Sequence, residues 1–177
     1  MQLKKILIIG DAGVGKTTII NRMLNVEFNP KYIADNKVTT HIIGNFKITV
    51  FPGQLKYSFD KLIYGSEEHD IQYDRIVIMC DINSMLSFNN KCDWFKRIRG
   101  LCHKNTRIVL CINKCDVPGT YYTKEWLSDA TQKYKMMPFI GKFMSNNYET
   151  NSFDSIHYVS AKTKLNIDKI LGDNDHE

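Results

Sequence analysis

Short apolar runs alternate along this chain with segments of helical periodicity. Residues 3–9, 76–80 and 108–112 include continuous apolar stretches, the pattern of strands buried on both faces. Residues 41–43 and 46–51 flank Gly44-Asn45, a two-residue turn signal that predicts a hairpin. A last strand is predicted over 156–159. From Lys16 to about Asn25, Ile19, Ile20, Met23 and Leu24 recur on the inner face of a helix. Trp94, Phe95, Ile98, Leu101 and Cys102 do the same and read as core, not as a cofactor-binding stripe. Residues 166–171 suggest a short closing helix, while 28–40, with a proline and no periodicity, read as a loop. The sum is an α/β fold: a mostly parallel six-stranded sheet with helices on both faces.

The junction between the first strand and the first helix carries the chemistry. Gly10-Asp11-Ala12-Gly13-Val14-Gly15-Lys16-Thr17 fits G-x-x-x-x-G-K-[ST], followed by Thr18. Glycines let the backbone curl so that successive N–H groups face phosphate oxygens; Lys16 reaches the β/γ phosphates, and the Thr17 hydroxyl ligates Mg²⁺. The helix that starts at Lys16 adds its positive end to the same anion site. The spacing and its place between strand and helix predict a P-loop nucleotide-binding fold.

A second motif names the base. Asn113-Lys114-Cys115-Asp116 follows the strand at 108–112, at the end where open α/β sheets bind ligands. The Asp116 carboxylate can accept two hydrogen bonds from the N1–H and exocyclic amine of guanine, which adenine does not offer in that arrangement. Asn113 is expected to brace the loops and the Lys114 stem to cover ribose and base. Ser160-Ala161-Lys162, after the last strand, is expected to offer a backbone N–H to the base O6. An ATP-using protein is the weaker reading, since Asp116 argues against it.

Composition narrows the rest. At 177 residues and 43% hydrophobic residues, the chain fits one domain, expected to span 1–177, and no stretch approaches membrane-spanning length. The first apolar run ends at Gly10, too short for a signal peptide, so the protein is expected to remain cytoplasmic or nuclear and unsecreted. Five cysteines without a C-x-x-C pair read as reduced thiols, and the five histidines are scattered. Net charge is +5, with a denser stretch at Lys91, Lys96, Arg97, Arg99, Lys104 and Arg107 that reads as a solvated face, or else as a surface for an acidic protein. No basic patch is interleaved with aromatics, so nucleic acid is not an expected ligand.

Through these motifs the chain resembles the Ras-like small GTPases, and the Ran branch most closely. The resemblance is carried by Gly10–Thr18, the segment from Phe28 through Lys31-Tyr32 to Ala34, Gly53-Gln54, Ile76-Val77-Ile78-Met79, Trp94 and the run 108–116. It implies GTP and GDP as ligands, Mg²⁺ as cofactor, Phe28 packed on the guanine edge, and Gln54 orienting the attacking water with Lys16 as catalytic partner. It also implies transport receptors or GTPase regulators as partners, shuttling between nucleus and cytoplasm, a monomer, and no membrane anchor, as the chain ends without a prenylation cysteine.

Several positions depart from that family. Where its members carry a Mg²⁺-ligating threonine in the first switch loop, this chain has Asp35. Where the family's D-x-x-G supplies a Mg²⁺-anchoring aspartate, the segment is Val50-Phe51-Pro52-Gly53. Either Asp35 replaces that acid from the other switch loop or the magnesium shell is weakened; Thr17 and Asp35 are the candidate metal ligands. Ala12 replaces a frequent glycine, a minor change. Slow or partner-dependent hydrolysis and a preference for GDP follow as expectations. The stretch 117–154 is enlarged and carries aromatic residues that cover either the core or a partner, and the last helix is expected to be truncated.

Overall fold

The computed structural model describes residues 3–59, 73–98, 102–103, 105–116 and 153–172. Six strands, β1 (Lys4–Gly10), β2 (Thr39–Ile43), β3 (Phe46–Val50), β4 (Arg75–Asp81), β5 (Arg107–Asn113) and β6 (Ser155–Tyr158), form one sheet in the order β2-β3-β1-β4-β5-β6. Among the described strands only the β2–β3 pair is antiparallel; β1 pairs in parallel with β3 and β4, and β5 with β4 and β6. Parallel pairing puts the carboxyl ends of β1, β3, β4 and β5 along one edge, where the chemistry-bearing motifs emerge.

The alternation of side chains along buried strands separates two cores. Leu7, Ile9, Ile76, Ile78, Leu110 and Ile112 point to one face, with Phe51, Phe59, Trp94 and Ile98. Ile6, Ile8, Val77, Met79, Val109 and Cys111 point to the other, with Ile19 and Ile20 of α1 (Lys16–Met23) and Ile170. Both faces are therefore covered, as continuous apolar strands require. On the first face Phe51 meets Phe59 edge-on at 4.8 Å between ring centroids, and Phe59 meets Trp94 at 5.7 Å. Such edge-to-face pairs add about 0.5–1.5 kcal/mol each beyond burial.

After β4 the chain turns through Ser84, whose Oγ accepts from Ser87 N, into the short α2 (Met85–Asn89) and then α3 (Lys91–Ile98). The closing element is a 3₁₀ turn over Ile167–Ile170 rather than an α-helix.

Three expectations are corrected in detail. The first helix ends two residues earlier than expected, leaving Leu24 44% exposed as the chain leaves the sheet. Thr39 and Thr40 join β2 instead of the preceding loop. Lys91 is buried rather than solvated: its ammonium donates to the Phe88 carbonyl at 3.3 Å and lies 4.4 Å from the Phe88 ring centre, while Lys96 and Arg107 of the same basic stretch are exposed. A long lysine stem can cover apolar surface while its head finds a carbonyl. The enlarged stretch up to 152, Arg99, Leu101, Lys104 and the final residues 173–177 lie outside the described residues. No described helix is long and apolar enough to cross a membrane.

Candidate functional site

β1 delivers Gly10 to the carboxyl edge, and residues 11–15 loop back into α1. Inside this loop the Lys16 ammonium donates to the carbonyls of Gly10 (2.9 Å) and Asp11 (2.7 Å) and is only 5% exposed. Burial pulls its pKa from 10.5 to about 8, against the opposing pull of the Asp35 and Asp11 carboxylates. A cation stripped of water and ringed by carbonyls is a receptor for an anion. Ala12, Gly13, Gly15, Thr17 and Thr18 line the cleft in front of it. Gly15, at φ 98°, caps α1 with no room for a side chain: a Cβ there would lie 2.3 Å from Asn113 Nδ2.

The side chains of Asp11 and Val14 face elsewhere. Val14 is buried in the core, and its carbonyl accepts from Asn113 Nδ2 at 2.9 Å. The Asp11 carboxylate accepts from Asn90 Nδ2 (2.6 Å) and Trp94 Nε1 (2.8 Å), tying the loop to the start of α3. Neither partner was read as part of the site. A signal existed: an indole in a core stripe needs an acceptor for its N–H, and Asn90 sits one helical turn before it.

At the other end of the cleft, the loop after β5 meets the loop after β6. Asn113 is buried and joins three segments, since its Oδ1 also accepts from Ala161 N at 3.1 Å. Of the three N–H groups of Ser160-Ala161-Lys162, that of Ala161 is thus directed to Asn113 and that of Ser160 to the Leu165 carbonyl. Asp116 lines the cleft; its Oδ1 accepts from Ser160 Oγ at 2.5 Å, and its Oδ2 lies 3.8 Å from the ammonium of Lys162. Ser160 is fully buried and orients Asp116 from behind, while Ala161 and Lys162 line the cleft. Lys114, in the left-handed region at φ 67°, pairs with Asp81 at 2.7 Å while lining the same space. Phe28 stands 36% exposed on its wall.

The two loops that close the cleft meet across the end where Lys16 lies. Thr17 Oγ1 donates to the Asp35 carboxylate, and Gln54 Nε2 donates to Tyr32 Oη at 3.3 Å. Gly53 passes so close to the P-loop that a Cβ would lie 2.2 Å from Ala12 N. That approach is set by Phe51, whose N–H bonds the Ile8 carbonyl at 2.9 Å as β3 ends. Val50 is buried in the core beside α1, so its position contributes no carboxylate to the cleft. Beyond Gly53, a 3₁₀ turn over Gly53–Ser58 sets the Lys56 ammonium 5.6 Å from the Trp94 ring and 3.3 Å from Asp93.

The cleft holds about 620 Å³ and runs from Thr17 and Asp35 at one end to Asp116 and Ala161 at the other. That is within the usual range of small-molecule sites, roughly 300–1,000 Å³. The donor set fits a nucleotide with a divalent cation. A buried ammonium and a glycine cradle face one end, an oriented carboxylate faces the other, and the Thr17 and Asp35 oxygens adjoin, a pair of hard donors that would suit a divalent cation. No cluster of three or more His, Cys, Asp or Glu able to hold a metal occurs among the described residues, so phosphate oxygens and water would have to complete such a shell. Compared with known families, the Ras family model matches residues 5–173 of the chain.

Proposed function

As the chain belongs to the Ras family of small GTPases, a family of GTP-binding switches that hydrolyse GTP, we propose that this cleft binds guanine nucleotide through its own residues and turns it over slowly. The observation that carries the reading is the pairing, in one cleft, of buried Lys16 with Asp116 held in place by Ser160. Lys16 takes the β and γ phosphates, with the loop N–H groups of residues 12–18 around them. Asp116 reads the guanine edge, while Asn113 keeps the two base loops at fixed separation. Phe28 and the Lys114 stem cover the base and ribose.

Thr17 and Asp35 would hold the metal, which would supply positive charge to offset the charge that develops on the phosphates. Gln54, supported by the Tyr32 hydroxyl, orients the attacking water. Lys16 stabilises the transferring phosphoryl group. Phosphoryl transfer depends almost wholly on such positioning and charge, so replacing the threonine and the Mg²⁺-anchoring acid of the family is expected to slow hydrolysis by roughly a thousandfold, about 4 kcal/mol.

Single-turnover phosphate release from GTP tests the assignment. The wild-type rate is expected to be low, and Gln54→Leu is expected to lower it by about tenfold more while leaving GDP affinity within about twofold. Equal rates for the two proteins would remove Gln54 from catalysis.

Within the family, the Lys31-Tyr32 segment and the block 76–79 support a Ran-like position, with transport receptors or GTPase regulators as partners, a monomeric state and a cytoplasmic or nuclear place of action. Val50 and Asp35 favour a second reading, a binding module that occupies such partners without switching. Equal phosphate release by wild type and Gln54→Leu, combined with tight nucleotide binding, is what that reading requires.

A further inference from the structure

The first switch loop brings its own anion to the phosphate end of the cleft. Thr17 Oγ1 donates to the Asp35 carboxylate across 18 residues of sequence. Asp35 therefore occupies the hydroxyl that the P-loop directs at the end of a phosphate chain, and it lines the same cleft as Lys16. Three residues earlier, Tyr32 overlies the loop: a Cβ on Gly13 would lie 3.9 Å from its ring, and its hydroxyl takes the Gln54 hydrogen bond. Protein side chains alone thus draw both closing loops over the cleft.

From this geometry, and resting on the nucleotide-binding reading above, we infer that Asp35 acts as a built-in counterpart of a terminal phosphate: the cleft selects guanosine diphosphate with the first loop closed, and a triphosphate must displace that loop. The chemistry is that of two like anions contending for one set of donors. A carboxylate and a terminal phosphate are both hard oxygen donors that suit an ammonium, a hydroxyl and Mg²⁺. With a diphosphate, Asp35 can serve the metal and Thr17 without a competing charge beside it. A third phosphate puts further negative charge beside the carboxylate, so either the triphosphate binds more weakly or Asp35 withdraws. The family's threonine carries no charge and has no such conflict. The selectivity, and the nucleotide that closes the loop, are then opposite to those a neutral residue would give.

Calorimetric titration tests the inference, with GDP and a non-hydrolysable GTP analogue titrated separately at fixed Mg²⁺ into wild type, Asp35→Asn and Asp35→Thr. Asp35 lies half-buried in a loop otherwise largely exposed, so neither change threatens the core. Wild type is expected to bind GDP at least about tenfold more tightly than the analogue, and both variants to shrink that ratio about fivefold or more by gaining analogue affinity. A wild-type ratio near one, or a ratio that both substitutions leave unchanged, overturns it. Binding of neither nucleotide by any of the three proteins is a different failure: it overturns the reading of the cleft itself, and this inference with it.

Discussion

At Lys16, burial and charge pull in opposite directions, and the balance has a pH signature. Below about pH 8 the ammonium is charged in both folded and unfolded chains, and the ligand-free fold bears the full cost of burying it. Between about 8 and 10.5 the folded chain loses its proton first, so the unfolded state binds more protons and stability rises with pH. The size of the effect is on the order of 3 kcal/mol at one pKa unit per 1.36 kcal/mol. The nucleotide-free protein is therefore expected to melt at higher temperature at pH 9.5 than at pH 7.5, and Lys16→Met to remove most of that rise. A wild-type melting point that falls over this range, with no difference from Lys16→Met, would contradict the buried-cation account. That Lys16, Asn113 and Asp116 line one cleft was legible because each lies in a motif whose spacing has a mechanical cause. Ser160 as the group that orients Asp116 was not, because side chains 44 positions apart meet only once β6 lies beside β5.

Among the elements, α3 ties the site to the rest of the molecule. Its apolar stripe announced a core helix, and Trp94 and Ile98 are buried as that stripe requires. What the stripe could not reveal is that the Trp94 ring serves two neighbours. Its N–H goes to Asp11 in the P-loop, and the Lys56 ammonium of the second closing loop lies over its face. A helix expected as core is thus in contact with both the P-loop and the second closing loop. Trp94→Phe keeps an aromatic ring in the core but leaves the Asp11 Oδ1 without its indole donor. Denaturant unfolding should show a loss of about 1–3 kcal/mol from the lost charge-assisted bond and the smaller ring. Nucleotide should also dissociate severalfold faster, as the P-loop loses an anchor. Unfolding at the wild-type midpoint with an unchanged off-rate would show that the contact is incidental. The strands were the most legible elements, because a run of apolar residues buried on both faces has few alternatives. The boundaries were less so, because the last turn of α1 and the entry to β2 depend on what packs beside them.

For the molecule as a whole, sheet order places the cleft. Pairing β1 between β3 and β4, with β5 next, brings the P-loop, Gly53 and the loop after β5 to a single edge. Motifs separated by about a hundred residues then bound one cleft. The α/β class and the two-faced core followed from periodicity alone, whereas the meeting of Asp35 with Thr17 depended on how the first closing loop folds over that edge. The central claim, that this edge binds one guanine nucleotide, is tested most directly by titrating GDP with Mg²⁺ into the nucleotide-free chain, alongside Asp116→Ala and with ATP as competitor. The account predicts one GDP per chain at micromolar affinity or tighter, undisturbed by excess ATP and weakened by about a hundredfold in Asp116→Ala. Failure of the wild type to bind GDP at micromolar concentrations, or equal competition by ATP, would contradict it.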